Sequence, residues 1–431
     1  MKATKVIALT AAVLMVLGML AGCASTSDTS AQKGTTKLTF MDWESESMND
    51  KIRATMQQFA IDNTGMQVDL MPAPLQDYGT KIQQMIAANA APDVFMVGND
   101  MAISYAAGGY TLDITPYTSK DEAFIKDFYP GSIDTFKYQG KQAGLPGLLN
   151  CYGIFYNKKL FTDKGVALPT KDWTYADMLA AADKLKDTAN NQYGLYNMAL
   201  DPFAMSNYAV SAGGKAFPDA VYPITKVTID DKFKEGVNLF RDAIKNGSIP
   251  PTTYTATNLT AMFMEGKVPM MMYGQWAADE LIRNAPEDLE WGFVPNPKVN
   301  DPSTTLDAVG WAISKSTKNP DAAYKLLKYI VSSTYSEVLP NNPVAPAAYM
   351  PASKGYYQKL KDTGHGDLAD GLDQMLTAKN KVIVRFLDPW AGDANKFGTS
   401  YNEVLDGKAD ISALDTYVNN INDVIANATT K

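Results

Sequence analysis

Histidine is almost absent from this chain, because His365 is the only one among 431 residues. Catalytic triads and multi-His metal sites depend on imidazole side chains, so a single histidine argues against both. The chain also contains no Walker motif, no Gly-x-Ser-x-Gly elbow and no Cys-x-x-Cys pair, which are typical of nucleotide, acyl-transfer and redox chemistry. The sequence therefore predicts no bound metal and no cofactor, and it favours a protein that is not an enzyme.

Positive charge is in short supply as well. The chain has 39 Lys and Arg against 47 Asp and Glu, which gives a formal net charge of −8 and a pI of about 4.9. No stretch is rich in Lys and Arg, whereas nucleic acids and anionic membrane surfaces are bound through basic patches. With 46% hydrophobic and 20% charged residues, the composition is that of a soluble globular protein. We therefore expect no nucleic-acid partner.

The N-terminus has the order of a secretory signal: Lys2 and Lys5, then an apolar run from Val6 to Met19, then small residues. The run ends in Leu20-Ala21-Gly22-Cys23, which resembles the bacterial lipobox. An uncleaved signal anchor is the alternative, but a cysteine directly after Ala-Gly has no packing purpose there. The sequence thus predicts a signal peptide over 1–22 and lipidation of Cys23. The protein would then be anchored by lipid at the outer face of the cell membrane, on the periplasmic side where the host has an outer membrane.

Residues 23–36 are rich in Ser and Thr and poor in apolar residues, which predicts a flexible tether. Lipidation of Cys23 leaves Cys151 as the only unmodified thiol, so no intramolecular disulfide is expected. We expect Cys151 to be a small buried residue. About 395 residues follow the tether, more than one core usually supports, and two lobes are the default expectation.

Strands and helices alternate after the tether. The stretches 37–43, 67–71 and 92–97 are apolar and β-rich, and they are separated by segments with helical spacing of apolar residues. This order predicts a mostly parallel sheet, in which ligands bind beyond the carboxyl ends of the strands. The residues at these ends are Asp42, Trp43, Glu44, Asn99 and Asp100.

The second half of the chain contains further helices. Thr174 and Asp177 form a capping box before one of them, and Gly247 ends another. An apolar strand over 268–273 leads into Gly274-Gln275-Trp276 and then a helix over 277–284. Pro320 begins a helix at its first turn, and the last helix buries Ile411, Leu414, Val418, Ile421 and Ile425 on one face. The apolar faces of these helices are interpreted as parts of the hydrophobic core.

Several motifs in order resemble the extracellular solute-binding proteins of the maltose-binding type, which are the receptors of bacterial ATP-binding-cassette sugar importers. The motifs are Pro92-Asp93-Val94, Gly144-Leu145-Pro146, Tyr156-Asn157-Lys158-Lys159-Leu160-Phe161, Gly165 to Pro169 with Trp173-Thr174, Phe263-Met264-Glu265-Gly266-Lys267-Val268-Pro269-Met270, Gly274-Gln275-Trp276, and Gly310-Trp311-Ala312-Ile313-Ser314. Each motif alone is weak. Together they cover the chain from about Lys37 to its end.

The resemblance implies an α/β, two-lobed periplasmic-binding-protein type II fold with a ligand cleft between the lobes. It implies a first lobe of residues 37–148 plus 309–340 and a second lobe of residues 149–308 plus 341–431, with hinges near Asn150 and Val309. It also implies a sugar ligand, most simply an oligosaccharide, and delivery of that sugar to the permease subunits of the transporter. A monomer is expected.

Sugar binding requires flat aromatic rings for the C–H face of a pyranose, and carboxylates or amides for its hydroxyl groups. In the family, an aromatic residue at the position that matches Trp276 stacks on sugar, and Trp390 lies where the family often supplies a second ring. Trp43 and Trp311 are further candidates, whereas Trp173 and Trp291 lie in stretches that favour structural roles. The polar candidates are Asp42, Glu44, Asn99, Asp100 and Asn150, the last at a position where several relatives have a carboxylate.

Two other functions fit the same residues. A receptor for a polyamine or a peptide would use the same fold, and a polyamine would suit an acidic, aromatic cleft. A lipid-anchored glycan hydrolase is the enzyme alternative, since two carboxylates suffice for glycoside hydrolysis. Its candidates are Asp42, Glu44, Asp100, Asp388 and Asp393. Arg385 could pair with an acidic sugar or with a carboxylate of the cleft.

Overall fold

A computed structural model describes residues 35–197, 201–220, 222–256, 258–383 and 398–429. By its internal contacts the chain divides into Met1–Thr35 and Thr36–Lys431, and the elements below all belong to the second unit. Within the described ranges, no helix is long and apolar enough to span a membrane.

The first part of the chain begins with the predicted alternation, in which three strands, each within a few residues of its expected position, are separated by two helices. Its elements are β1 (Thr36–Met41), α1 (Glu46–Asp62), β2 (Met66–Leu70), α2 (Leu75–Ala87), β3 (Val94–Gly98), α3 (Asn99–Ala107), α4 (Thr115–Thr118), α5 (Glu122–Ile125), β4 (Lys137–Tyr138), β5 (Lys141–Gln142) and β6 (Leu145–Asn150). A 3-10 helix, Ile133–Phe136, precedes β4.

The middle of the chain is richer in helix. Its elements are β7 (Tyr152–Asn157), α6 (Lys158–Asp163), α7 (Tyr175–Leu185), β8 (Tyr196–Asn197), α8 (Pro202–Ser211), α9 (Asp231–Lys245), α10 (Leu259–Met264), β9 (Met270–Gly274), α11 (Ala277–Asn284) and β10 (Trp291–Pro295). The predicted capping box is confirmed, because the Thr174 hydroxyl accepts from the Asp177 N–H while the Asp177 carboxylate accepts from the Thr174 N–H.

The last part returns to the first sheet and then adds helices. Its elements are β11 (Ser303–Ile313), α12 (Pro320–Tyr329), a π-helical turn (Ile330–Thr334), α13 (Tyr335–Val338), α14 (Lys354–Asp362), α15 (Gly366–Thr377), β12 (Asn380–Ile383), α16 (Gly398–Leu405) and α17 (Ala413–Thr429). Four residues of the predicted stripe of the last helix, Leu414, Val418, Ile421 and Ile425, are buried. The prediction was wrong for Ile411, which is only half-buried because it lies in the turn before the helix begins.

The first sheet has the order β12-β11-β3-β1-β2, with β6 also paired to β11. β1 is parallel to β2 and to β3, as expected, but β11 is antiparallel to both β3 and β6. β11 is also parallel to β12, so three of the five strand pairings in this sheet are parallel and the prediction of a mostly parallel sheet is confirmed. The two antiparallel pairings arise because β11 enters the sheet from the opposite end, after the chain has built a second sheet.

The second sheet has the order β10-β7-β9-β8, in which β7 is antiparallel to both β9 and β10. Only Cys151 separates β6 of the first sheet from β7 of the second. Cys151 is fully buried, as predicted, and burial raises the pKa of its thiol to about 12. The chain thus passes from one sheet to the other at a buried position. The lobe boundaries given above remain a prediction.

Candidate ligand-binding site

A cavity of about 540 Å³ lies at the carboxyl ends of β1 and β3, beside the passage from β6 to β7. Its volume is within the usual range for small-molecule sites. The lining combines aromatic, acidic, amide and aliphatic side chains. It consists of Trp43, Glu44, Leu75, Tyr78, Gly79, Met96, Gly98, Asp100, Met101, Leu148, Asn150, Tyr152, Trp276, Asp307, Val309, Val344 and Ala345.

Trp276 forms one aromatic wall of the cavity. It directly follows the turn after β9 and precedes the first residue of α11, so its backbone is fixed by two regular elements. The Tyr152 ring meets the indole edge-on at 5.6 Å between centroids, and Tyr273 meets it at 5.8 Å. The indole also lies over Gly274, where an added Cβ would be 2.1 Å from two of its ring carbons. Glycine at 274 is therefore required by the present position of the ring.

Trp43 forms a second aromatic wall, directly after β1. Its ring packs edge-on against Tyr78 of α2, with 4.8 Å between centroids. The Tyr78 hydroxyl donates to the Met96 carbonyl at 2.6 Å, and burial raises the pKa of Tyr78 well above its usual value. Tyr78 therefore stays protonated and anchors Trp43 to β3.

Two carboxyl groups follow β1, one on either side of Trp43 in the sequence. Glu44 lines the cavity, and Asp42 lies fully buried behind it with one oxygen, Oδ2, unbonded. Burial raises the pKa of Asp42 to about 6, and this rise is only partly offset by the Asn49 side chain, the Glu44 N–H and the charge of Arg53. Burial and the charges of Asp42 and Asp279 raise the pKa of Glu44 to about 8. Asp42 and Glu44 are thus a pair of carboxyl groups that resists full ionisation.

These raised pKa values predict that the folded protein loses stability as pH rises. Unfolded Asp and Glu titrate near 3.8 and 4.5, so between about pH 4 and pH 8 the folded chain holds more protons than the unfolded chain. Deprotonation then favours unfolding, and the melting temperature should fall from pH 5.5 to pH 8.5. Glu44→Gln should flatten this slope and melt above wild type at pH 8.5.

Thermal melts of wild type and Glu44→Gln from pH 5.5 to pH 8.5 test the direction in which stability changes with pH. Glu46→Gln is the matched control, because it removes one exposed carboxylate two residues further along the chain, at the first residue of α1. The control should keep the wild-type slope. Equal slopes for wild type and Glu44→Gln would contradict the assigned role of Glu44.

Asn150, the last residue of β6, lies opposite Asp307 of β11 in the antiparallel ladder. Opposed residues on one face of such a ladder have Cβ atoms about 4.5–5.5 Å apart, and both side chains line the cavity. An amide and a carboxylate therefore share this part of the wall.

The predicted site residues fall into three groups. Five line the cavity together: Trp43, Glu44, Asp100, Asn150 and Trp276. Asp42 and Asn99 do not line it, because both are fully buried behind the strand ends. Trp390 and Cys23 lie outside the described residues, as do Arg385, Asp388 and Asp393.

Trp311 is not a cavity residue, so its assignment to the ligand site is corrected. It is fully buried, its Nε1–H donates to the Tyr335 hydroxyl at 2.9 Å, and its ring packs on Phe40 at 5.1 Å. Trp311 shares a face of β11 with Asp307 and Val309. It lies further along the strand, however, where Tyr335 covers it.

Sequence reasoning missed Tyr152 and Asp307. Tyr152 lies two residues after Asn150, and the alternation of side chains along an extended chain would have placed both on one face. No local signal marks Asp307, because its neighbour Asn150 is distant in sequence. Cross-strand register, which the sequence does not reveal, brings the two together.

The cavity can bind a polar, ring-shaped molecule, because it offers aromatic faces and a set of fixed donors and acceptors. The described part of the chain contains no group of three or more His, Cys, Asp or Glu that could hold a metal ion. His365 lies away from the cavity, stacked on Trp291 with 4.1 Å between ring centroids.

The family profile named "Bacterial extracellular solute-binding protein" matches residues 45–337. A putative binding protein of Brucella abortus is 22% identical over 366 residues, which cover 80% of this chain and 84% of the relative. The galactooligosaccharide-binding protein of Bacillus subtilis is 23% identical over 327 residues, with 74% of each chain covered. The substrate-binding protein of Listeria monocytogenes solved with cycloalternan superposes with a TM-score of 0.75 at 24% identity, covering 91% of this chain and 99% of that one.

The chain belongs to the bacterial extracellular solute-binding proteins. The predicted fold class is confirmed, because the chain shares the α/β, two-lobed periplasmic-binding-protein fold of its structural neighbours. The family and these neighbours are binding proteins.

Proposed function

We propose that the protein captures a sugar, most simply an oligosaccharide, and delivers it to the permease of an ATP-binding-cassette importer. One observation carries the proposal: Trp43 and Trp276 provide aromatic faces in the same cavity as Glu44, Asp100 and Asn150. A pyranose presents C–H groups on its faces and hydroxyl groups at its rim, so it needs this combination of groups.

The names of similar proteins support the proposal. Those relatives include proteins named for galactooligosaccharide, maltotriose and diacetylchitobiose. The Listeria structure holds cycloalternan. All four ligands are oligosaccharides, and the aromatic walls of this cavity suit them.

The two lobes are proposed to close over the sugar, with the boundaries given by the sequence. Hinges absorb backbone change at the ends of elements. Two features support hinges near Asn150 and Val309: the single residue Cys151 joins β6 to β7, and the pairing of β11 with β6 shifts register between Val309 and Gly310.

Screening of purified protein by thermal shift tests the function, with maltotriose, a galactooligosaccharide and diacetylchitobiose as probes. A sugar present at 100 times its dissociation constant stabilises the fold by about 2.7 kcal/mol. A saturable shift without turnover supports the proposal. A shift with spermidine or a peptide alone would instead indicate a receptor for another solute, and release of shorter sugars would indicate a hydrolase.

Gly274→Ala is expected to weaken the binding of the probe sugar by up to about tenfold, without any change to a polar group. The new Cβ would displace the indole of Trp276, and part of the roughly 1–3 kcal/mol of a stacking contact is lost. Calorimetric titration measures the effect. Gly366→Ala is the control, since its added Cβ meets only open space, and equal affinities of the two variants would contradict the assigned role of Trp276.

The lipid anchor at Cys23 is part of the proposal. Cys23→Ser is expected to abolish lipid attachment, because the modification needs the thiol. The variant should remain as precursor or appear in the medium, as measured by fractionation and fatty-acid labelling. Normal labelling and processing of the Ser variant would contradict the anchor.

A further inference from the structure

Gln275 is a fully buried polar residue, and the functional site described above does not use it directly. It occupies the turn between β9 and α11, next to Trp276. The Cys151 N–H donates to its Oε1 at 2.8 Å, and its Nε2 donates to Asn150 Oδ1 at 2.9 Å. The carbonyls of Leu149 and Val344 lie 3.5 and 3.4 Å from the same Nε2. One side chain therefore bonds to the β6–β7 passage and to the segment at Val344.

The polarity of this chain of hydrogen bonds is fixed by the backbone. The Cys151 N–H can only donate, so the atom of Gln275 that faces it must be the carbonyl oxygen. The other terminal atom of Gln275 is then the NH₂ group, which the carbonyls of Leu149 and Val344 also require. Since this NH₂ group donates to Asn150, the atom of Asn150 that faces it must be the oxygen. Reversal of Gln275 would leave the buried Cys151 N–H without an acceptor, and reversal of Asn150 would place its NH₂ group against the NH₂ group of Gln275.

We propose that Gln275 is a positioning residue that holds the Asn150 amide with its nitrogen toward the cavity. Asn150 lines the cavity, so it presents N–H donors there, while Asp307 beside it presents acceptor oxygens. Given the proposed function, a sugar hydroxyl at this point accepts from Asn150 and donates to Asp307. Gln275 thereby sets which hydrogen-bonding pattern the cavity selects, although it does not reach the cavity itself.

Gln275→Glu is the variant that separates this role from simple packing. The new carboxyl still accepts from the Cys151 N–H, and once it is ionised its second oxygen also accepts. Because burial favours the protonated form, which would still donate to Asn150, this variant is measured at a pH above the one at which residue 275 loses its proton. Asn150 must then turn its nitrogen toward residue 275 and its oxygen toward the cavity. Asn150→Asp is the complementary variant, because an aspartate oxygen still accepts from Gln275.

Hydrogen exchange of ¹⁵N-labelled Asn and Gln side chains in the full chain tests the proposal without any ligand. In wild type, the Gln275 NH₂ should exchange at least about tenfold more slowly than the Asn150 NH₂. In Gln275→Glu, the Asn150 NH₂ should become the slowly exchanging group. In Asn150→Asp, the Gln275 NH₂ should still exchange slowly. Signals are assigned by their loss in these variants. The proposal would be overturned by slow exchange of the Asn150 NH₂ in wild type. It would also be overturned by fast exchange of the Asn150 NH₂ in a folded Gln275→Glu, or of the Gln275 NH₂ in Asn150→Asp.

The affinity for sugar is a second measurement. It can contradict the role of Gln275 without contradicting the proposed function. Any of maltotriose, galactooligosaccharide or diacetylchitobiose that binds wild type should bind Gln275→Glu roughly tenfold to a hundredfold more weakly. Gln142→Glu is the control, since Gln142 is also buried and donates to the Gly144 carbonyl at 2.7 Å, outside the cavity. Equal losses in both variants would overturn the proposal. Lack of binding by wild type would contradict the proposed function, while the exchange pattern still decides the role of Gln275.

Discussion

Trp276→Ala is expected to weaken sugar binding at least roughly tenfold, with little change in the free energy of unfolding. The indole is partly exposed at the cavity wall, so its removal deletes a stacking surface and leaves no closed void. Aromatic stacking of this kind contributes about 1–3 kcal/mol in nucleic-acid complexes, which corresponds to roughly tenfold to a hundredfold in affinity. Calorimetric titration and urea unfolding of the same preparation measure the two quantities.

Trp173→Ala is the matched control for this change. Trp173 is also partly buried, but it packs beside Phe161 and lies outside the cavity lining. Its replacement should leave the affinity unchanged. If Trp276→Ala instead lost stability and kept normal affinity in the folded fraction, Trp276 would be a core residue and the account of the aromatic wall would be wrong.

Trp311→Ala is expected to give the opposite pattern, a large loss of stability with normal affinity in the protein that remains folded. The side chain is fully buried and bonded to Tyr335, and truncation of a core tryptophan costs about 3–5 kcal/mol because a cavity remains. Trp311→Phe keeps most of the packing and loses only the Nε1–H donor, so its cost should be smaller. Urea unfolding measures the free energy of unfolding, which should decrease from wild type to Trp311→Phe to Trp311→Ala.

A clear outcome would overturn this assignment. If Trp311→Ala unfolded at the wild-type urea concentration and bound sugar more weakly, Trp311 would belong to the ligand site as the sequence first indicated. Stability and affinity, measured for both Trp276→Ala and Trp311→Ala, therefore distinguish a cavity residue from a core residue.

Local patterns predicted much of the fold and part of the site. Apolar spacing located the strands that end at Met41 and Gly98, and the position of polar residues after those ends identified Glu44 and Asp100 as cavity residues. Such predictions succeed because they depend only on neighbouring residues and on a general property of parallel strands.

Long-range pairing explains the misses. Asp307 reaches the cavity because β11 returns antiparallel beside β6, and that pairing also places Trp311 under Tyr335. Both residues follow small or apolar neighbours in one strand, so nothing local distinguishes a cavity residue from a core residue. Burial of Asp42 and Asn99 depends likewise on what packs behind the strand ends.

A crystal structure of the protein with its tightest-binding probe sugar tests the central claim most directly. We predict one sugar ring against the Trp276 indole, a second contact with Trp43, and a hydroxyl oxygen within hydrogen-bond distance of Asn150 Nδ2. A sugar bound elsewhere on the protein, with this cavity unoccupied at saturating concentration, would contradict the account.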